Sequence, residues 1–261
     1  METVRKLLMC DDPIYQLAVM LDTEGKKMNK MAYEEVASFL AITDITRSGI
    51  LSTALSYIKP FLSPRMSSAM RNSTFPIAEV VSGDPVTIYL ILPPDKFRSH
   101  RAMLKMWIGT LLKAITSRTR IPDLRTLFLL DECAQLEHFP YLETIITLCA
   151  GYGVRCWTFW QDLEQLQSCY PGSWQTILNN SDVIQTFGIR NRHMATQWGN
   201  YLEHGVETLM KLAPVNQVVK ANGRGEFCCR RPDYLGDPLF SGLYDENPFH
   251  QQATKPVATG R

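Results

Sequence analysis

The sequence predicts an α/β fold, in which a three-layered domain with a parallel sheet follows an all-helical domain. Strand and helix patterns alternate from Val86 to about Arg230, and this alternation is typical of parallel sheets flanked by helices. Residues 1–75 instead carry apolar residues at helical spacing. The last stretch is rich in proline and has few apolar runs. We therefore divide the chain into a helical domain at 1–75, an α/β domain at 76–231 and an extended tail at 232–261.

Three helices account for the first domain. Their apolar stripes span residues 14–21, 33–41 and 50–62. Gly25 ends the first helix. Thr46 or Asp44 is the predicted N-cap of the third helix, and Pro60 and Pro64 mark its end. Stripes of this kind usually form core, so we assign no chemistry to these helices.

The second domain alternates strands with helices. Apolar runs predict strands at 86–92, 127–130, 154–160, 183–189 and 226–229. Helical spacing predicts a long amphipathic helix after Pro94 and shorter helices at 140–150, 162–169, 172–178 and 192–202. We expect the first four strands to form one parallel sheet.

The strand at 127–130 reads Leu-Phe-Leu-Leu and is followed by Asp131 and Glu132. Consecutive apolar residues indicate a strand buried on both faces, and ligands bind at the carboxyl ends of strands in open parallel sheets. At such an end Asp131 is suited to hold Mg²⁺ through water, and Glu132 to orient or deprotonate an attacking water. This is a Walker B pattern. A buried strand that ends in a solvated acidic turn fits the same residues.

The four predicted strands of the parallel sheet end in Pro93, Asp131-Glu132, Gln161 and Arg190. Since the carboxyl ends of parallel strands meet at one edge, we expect the polar groups to converge there. A basic cluster, Arg98, Arg101 and Lys105, opens the long helix. This cluster opposes the helix macrodipole, so it either contacts an anion such as DNA or forms a solvated face.

Composition excludes several classes of protein. Hydrophobic residues make up 45% of the 261 residues and charged residues 20%, an ordinary globular balance. The net charge of +1 gives no global electrostatic argument for a nucleic-acid or membrane-surface binder. The seven cysteines contain no C-x-x-C pair, so we expect free thiols and no zinc site. Without a signal peptide or an apolar run of about 20 residues, we expect a soluble chain.

Four stretches resemble the type IV secretion coupling proteins of the VirD4/TraG class. They are Leu-Phe-Leu-Leu-Asp-Glu-Cys-Ala-Gln-Leu at 127–136, Gly-Tyr-Gly-Val at 151–154, Gln-Asp-Leu-Glu-Gln-Leu at 161–166 and Arg-Pro-Asp-Tyr-Leu-Gly-Asp-Pro-Leu-Phe at 231–240. The helical residues 1–75 lie where that family inserts its all-α domain. The four stretches in this order are more specific for the family than any one of them alone.

The resemblance implies a RecA-like motor, a P-loop NTPase that uses ATP and Mg²⁺. Members form homo-hexamers on the cytoplasmic face of the bacterial inner membrane. They receive relaxase-bound DNA, relaxosomes or effector proteins and deliver them to the secretion channel. By position, Asp131 would hold Mg²⁺, Glu132 would polarise the water and Gln161 would sense the γ-phosphate. Arg190 or Arg192 would act in trans on a neighbour's nucleotide.

The chain also departs from that family. No G-x-x-x-x-G-K-[ST] phosphate loop occurs in the sequence, and the family's transmembrane helices are absent. Cys149-Ala150 stands where the family usually has Gly-Arg. The chain therefore looks like the C-terminal part of a coupling protein, a partial P-loop NTPase. We expect no ATP turnover by this chain alone, and a missing central strand should leave an exposed sheet edge or apolar patch.

Two alternatives remain at this point. The helical residues 1–75 could recognise a relaxosome or effector protein while the α/β part only scaffolds them. Nucleotide binding separates this module from the motor, because the module needs none. The other alternative is a fragment of an FtsK/HerA-type DNA translocase. The helical insert and the segment 231–240 favour the coupling class over this alternative. Motifs for other chemistry, such as H-E-x-x-H or G-x-S-x-G, are absent from the sequence.

Overall fold

The computed structural model describes residues 2–245. The chain divides into two compact units that meet between Ile177 and Leu178. The boundaries at 75/76 and 231/232 are a division by sequence pattern and stay a prediction. Residues 246–261 of the predicted tail lie outside the described residues.

Helices dominate the chain up to residue 179. They are α1 (Glu2–Leu8), α2 (Pro13–Glu24), α3 (Lys30–Ala41), α4 (Asp44–Ile58), α5 (Pro64–Ala69), α6 (Ile77–Ser82), α7 (Phe97–Thr116), α8 (Pro140–Leu148), α9 (Leu163–Cys169) and α10 (Trp174–Asn179). The three helices predicted from apolar stripes are confirmed as α2, α3 and α4, and the long helix after Pro94 as α7. The predicted N-cap of α4 is wrong, because Thr43 occupies that position and no side chain caps the helix end.

Side-chain caps begin α2 and α3. The Asp12 carboxylate accepts from the Tyr15 N–H at 3.0 Å, and the Asn29 side chain accepts from the Met31 N–H at 2.9 Å. Such caps satisfy backbone donors that the first helical turn leaves unpaired. The stripes themselves are only partly core: α2 buries Leu17, whereas neither α3 nor α4 has a buried residue.

The first unit contains a parallel pair of strands, β1 (Thr126–Leu130) and β2 (Val154–Thr158), in register from one end to the other. Helix α8 lies between them in sequence and packs against β2. This is the strand–helix–strand crossover that the sequence predicts. The prediction that β1 is buried on both faces is wrong: Phe128 and Leu130 are buried, but Leu127 and Leu129 are exposed.

The predicted strand at 86–92 is not a strand in the structure, because it forms no ladder with a neighbour. Its side chains still alternate as in a strand. Ile88 and Leu90 are half-buried, whereas Tyr89 and Ile91 are exposed. A strand pattern in the sequence predicts the alternation, but the ladder also needs a backbone partner in register.

Arg118, which is buried, ties the starts of β1 and β2 to α6. Its guanidinium donates to four oxygens: Val81 O at 3.0 Å, Val80 O at 2.5 Å, Tyr152 O at 3.1 Å and Thr126 Oγ1 at 2.9 Å. Burial lowers the pKa of Arg118. The four acceptors offset part of the cost of burying the charge.

The second unit is an antiparallel sheet with two helices. Strands β3 (Val183–Thr186), β4 (Asn216–Ala221) and β5 (Gly225–Arg230) pair in the order β3-β4-β5, and the helices are α11 (Arg192–Gly199) and α12 (Val206–Met210). The expectation that residues 183–189 join the parallel sheet is therefore wrong. The strand pairs instead with β4, which the sequence reasoning missed.

Glu226 of β5 holds the loop before α12. Its side chain is almost completely buried and pairs with His204 Nδ1, and it accepts the backbone N–H groups of Glu203 at 2.8 Å and His204 at 3.0 Å. Burial alone would raise the pKa of Glu226. The hydrogen bonds from His204 and Glu203 outweigh that effect and leave the pKa below its ordinary value.

Within residues 2–245, none of the helices combines the length and the apolar character that crossing a bilayer requires.

We predict that Arg118→Lys destabilises the first unit by about 2–4 kcal/mol, because an ammonium group cannot reproduce the forked contacts of a guanidinium. Urea unfolding measures the loss. The matched control is Arg120→Lys, at an exposed position, which should stay within about 0.5 kcal/mol of the wild type. Equal effects of the two changes would contradict the role of Arg118.

We predict that Glu226 makes folding weaker in acid. The pKa of Glu226 is lower in the folded chain than the value of about 4.3 expected in the unfolded chain. Its contribution to the free energy of unfolding is therefore complete above the unfolded-state pKa and is lost as pH falls through the folded-state pKa. Urea unfolding between pH 7 and pH 3 should show a steeper acid loss for the wild type than for Glu226→Gln. The control Glu203→Gln changes an exposed carboxylate and should keep the wild-type slope.

Candidate functional site

The predicted acids lie at the carboxyl end of β1. Asp131 and Glu132 follow Leu130 directly and are both exposed. One Asp131 oxygen accepts the backbone N–H of Glu132 at 3.0 Å. Glu132 itself has a left-handed backbone, with φ 46° and ψ 52°. A non-glycine residue in that region costs of order 1–3 kcal/mol, and such strain clusters at functional sites.

The parallel pairing brings Gln161 to the same edge of the sheet. The Phe159 N–H donates to Leu130 O at 3.1 Å, and the Cys133 N–H donates to Phe159 O at 3.0 Å. Gln161 follows two residues later, just before Asp162, the N-cap of α9, and its N–H donates to the Gln165 side chain at 3.0 Å. The strand ends that carry Asp131-Glu132 and Gln161 are therefore neighbours.

Two basic residues of α7 hold the segment that follows the acids. Arg101 Nε donates to Gln135 O at 2.6 Å, and its guanidinium forms an ion pair with Glu137. Lys105 Nζ donates to His138 O at 2.8 Å, and burial, followed by the charge of Arg101, lowers the pKa of Lys105. These contacts give two of the three cluster residues an intramolecular role that the sequence reasoning missed. Arg98 is exposed, and its contact with an anion stays a prediction.

Buried groups behind the loop complete its support. Tyr170 is buried, and its hydroxyl accepts the Phe139 N–H at 3.2 Å and donates to Phe139 O at 3.3 Å. Burial raises the pKa of the Cys133 thiol, which is almost inaccessible. Cys133 therefore acts as a small core residue and not as a nucleophile.

The arginines predicted to act in trans lie in the other compact unit. Arg190 is exposed after β3, and because β3 is antiparallel to β4, Arg190 does not end a strand of the parallel sheet. The convergence expected for Arg190 within one sheet is therefore wrong. Arg192 begins α11 and pairs with Glu207 at 3.3 Å.

The donor set at the strand ends fits magnesium better than a transition metal. No cluster of three or more His, Cys, Asp or Glu ligands occurs in the described part of the chain. Mg²⁺ keeps most of its waters and binds through one or two carboxylates together with substrate phosphates. Asp131 and Glu132 meet that requirement, provided that a nucleotide supplies the phosphates.

A parallel strand pair that is followed by Asp-Glu after one strand and by Gln beyond the next fits a RecA-like, P-loop NTPase type of fold. The sequence profile of the type IV secretory system conjugative DNA transfer family matches residues 5–202. The chain belongs to that family.

The curated relatives that match are conjugal transfer proteins. The conjugal transfer protein TraG from Rhizobium radiobacter is 30% identical over 139 residues, which are 53% of this chain and 22% of TraG. TraG from Escherichia coli is 25% identical over 132 residues, which are 47% of this chain and 21% of TraG. The matches thus span about a fifth of the length of these relatives.

Solved structures of the conjugative coupling protein TrwB share the fold. An unbound form of TrwBdeltaN70 superposes with a TM-score of 0.63 at 16% identity and covers 76% of this chain and 54% of that chain. TrwB in complex with ADP and Mg²⁺ gives a TM-score of 0.61 at 17% identity, with the same coverage. The similarity supports the RecA-like fold with a parallel sheet core.

We predict that Arg101→Ala loosens the segment 133–138 behind the acids. Loss of the contacts to Gln135 and Glu137 should speed amide hydrogen exchange there by roughly tenfold, the equivalent of about one charged hydrogen bond. Exchange mass spectrometry measures the change. Arg98→Ala removes a neighbouring exposed arginine and should leave exchange of the segment unchanged. An unaltered rate in Arg101→Ala would contradict the supporting role.

Proposed function

We propose that this chain supplies the magnesium-holding and water-activating half of an ATP-driven coupling motor for type IV secretion or conjugation. One observation supports this most strongly: β1 and β2 are parallel neighbours, and Asp131, Glu132 and Gln161 follow their carboxyl ends. Phosphoryl transfer requires little covalent chemistry from a protein, so catalysis rests on positioning and on electrostatic stabilisation at such an edge.

Each residue has a distinct proposed role. Asp131 holds Mg²⁺ through a water molecule. Glu132 orients and deprotonates the attacking water. Gln161 contacts the γ-phosphate from the neighbouring strand end. When bound, ATP would supply the phosphates and Mg²⁺ would offset part of their negative charge. Arg190 or Arg192 reaches a neighbouring subunit's nucleotide in a hexameric ring.

The proposed setting follows from the family. The complete motor works at the cytoplasmic face of the bacterial inner membrane, receives a relaxosome or an effector protein and delivers DNA or protein to the secretion channel. Membership of the conjugative DNA transfer family supports this setting. Structures of TrwB with ADP and Mg²⁺ or with a GTP analogue support nucleotide as the ligand.

We predict that the isolated 261-residue chain does not turn over ATP. The sequence lacks the phosphate loop whose backbone N–H groups, lysine and hydroxyl cradle the nucleotide. Two carboxylates alone hold Mg²⁺-ATP weakly. A phosphate-release assay tests this, and steady hydrolysis that disappears in Glu132→Gln would overturn it.

The site itself is tested in a chimera, in which the matching segment of TraG from Rhizobium radiobacter is replaced by the corresponding residues of this chain. Glu132→Gln should lower ATP hydrolysis by about a hundredfold or more, the usual effect of losing a general base, while nucleotide binding persists. The matched control is Asp123→Asn, an exposed carboxylate just before β1, which should leave hydrolysis unchanged. Full activity of the Glu132→Gln chimera would contradict the proposed role.

A second candidate function is recognition of a partner protein by residues 1–75. The absence of any buried residue from α3 and α4 favours it, since helices with half-buried apolar stripes retain surface for a contact. Binding of a partner without nucleotide would be typical of this function.

A further inference from the structure

Gln161 is an exposed residue whose backbone is held by the first turn of α9. Its N–H donates to Oε1 of the Gln165 side chain at 3.0 Å. In the other direction, the Asp162 carboxylate accepts the Gln165 N–H at 2.8 Å and caps the helix. Asp162 and Gln165 are the N-cap and the third residue of α9, the two positions that form a capping box.

This capping box reaches one residue further back than the usual one. In the usual form, the side chain of the third helical residue accepts the backbone N–H of the N-cap residue itself. Gln165 instead accepts the N–H of Gln161, which precedes the N-cap Asp162. Because Gln161 is exposed, water could satisfy the same N–H. The contact therefore adds order to the backbone at Gln161, where burial does not demand a hydrogen bond.

Trp160 holds the chain on the other side of Gln161. Its indole Nε1–H donates to Thr158 Oγ1 at 3.0 Å. Its ring meets the Tyr170 ring edge-on, with the ring centroids 6.1 Å apart, which is a favourable geometry for an aromatic pair. The backbone of Gln161 is thus held from both directions, while its side chain is exposed to a ligand.

Helix α9 is in turn fastened to the segment that follows the acids. Leu163 and Leu166 are buried, and the helix packs against residues 133–136. At the far end of the helix, His138 Nδ1 lies 3.3 Å from Cys169 O, and the Cys169 thiol contacts the same segment at Ala134 O. The helix therefore links the end of the second strand to the loop behind the acids.

We infer that Gln165 is a positioning residue, which sets the place of Gln161 relative to Glu132. Among the described residues, backbone hydrogen bonds between the strand ends go no further than the one from Cys133 to Phe159. Beyond that point the position of Gln161 depends on α9 and its capping box. The inference rests on the proposed contact of Gln161 with the γ-phosphate, and it adds a residue that touches neither nucleotide nor metal. Displacing a catalytic group by about 1 Å can cost roughly a hundredfold in rate.

The first test uses the intact 261-residue chain without nucleotide and measures backbone amide exchange by NMR. Gln165→Met keeps the length of the side chain but removes the oxygen acceptor, so exchange of the Gln161 N–H should be roughly tenfold faster. Gln165→Glu keeps an acceptor oxygen and suits the first turn of a helix, so protection should stay at the wild-type level. The matched control Gln167→Met changes a half-buried glutamine on another side of α9 and should leave exchange at Gln161 unchanged. Thermal unfolding checks that the three variants fold.

The second test uses the TraG chimera and separates binding from chemistry. Gln165→Met should lower kcat for ATP by about tenfold and leave KM nearly unchanged, because a displaced contact to the γ-phosphate costs transition-state stabilisation. Gln165→Glu should keep the kcat of the parent chimera. Rates are normalised to the nucleotide bound at saturation, so that a loss of folded protein does not imitate this result.

Four results would overturn the inference. Exchange at Gln161 could be unchanged in Gln165→Met, equally accelerated in Gln167→Met, or accelerated in Gln165→Glu although the acceptor is kept. The fourth is full kcat of Gln165→Met in a chimera that Gln161→Ala inactivates. Failure of the proposed function looks different: Gln161→Ala would keep full ATP hydrolysis, while amide exchange would still support the placement of Gln161 by Gln165.

Discussion

The geometry of the first unit depends on the buried guanidinium of Arg118. Its four acceptors are neutral oxygens that come from α6, from β1 and from the turn that precedes β2. By holding Thr126 and Tyr152 together, Arg118 aligns the two strands at their beginnings. Both strands are five residues long, so alignment at the beginning also aligns the ends. The position of Asp131 and Glu132 along the strand direction, relative to Gln161, is thus determined at the opposite end of the sheet.

Beyond the strand ends, side-chain contacts and a strained backbone, and no longer the hydrogen-bond ladder, determine the conformation of the chain. Glu132 and Glu137 both have positive φ values, and between them the chain makes a tight helical turn. Such a turn needs outside support because each strained residue favours another conformation. Arg101, Lys105 and Tyr170 provide that support. The conformation of an exposed catalytic candidate is therefore determined mostly by residues that would touch neither nucleotide nor metal.

Much of this arrangement could be predicted from local sequence patterns. The run at 127–130, the acids after it and the strand that ends before Gln161 are local features, and the parallel pairing follows from the helix between the strands. The family resemblance added the RecA-like fold. Partners distant in sequence could not be predicted, since the pattern of 86–92 does not reveal whether a neighbour completes its ladder. The contact between Arg101 and Gln135 could not be predicted for the same reason, because the two residues are distant in sequence.

The antiparallel strand β4 was missed for a different reason. Its polar and charged residues obscure the alternation, although Asn222-Gly223 between β4 and β5 is a recognised hairpin signal. If Asn222-Gly223 had been interpreted as a hairpin turn, the strand that begins at Val183 would have been a candidate partner for this hairpin and not for the parallel sheet. Arg190 would then not have been expected at the end of a parallel strand.

The short hairpin between β4 and β5 also bears on the order in which the chain folds. Its strands are separated by a tight turn, whereas β1 and β2 are separated by the whole of α8 and its flanking loops. Closing a short loop costs less chain entropy than closing a long crossover. We therefore expect the β4–β5 hairpin to form before the parallel pair β1–β2 when the unfolded chain refolds, so that the edge that carries Asp131 and Glu132 is completed later.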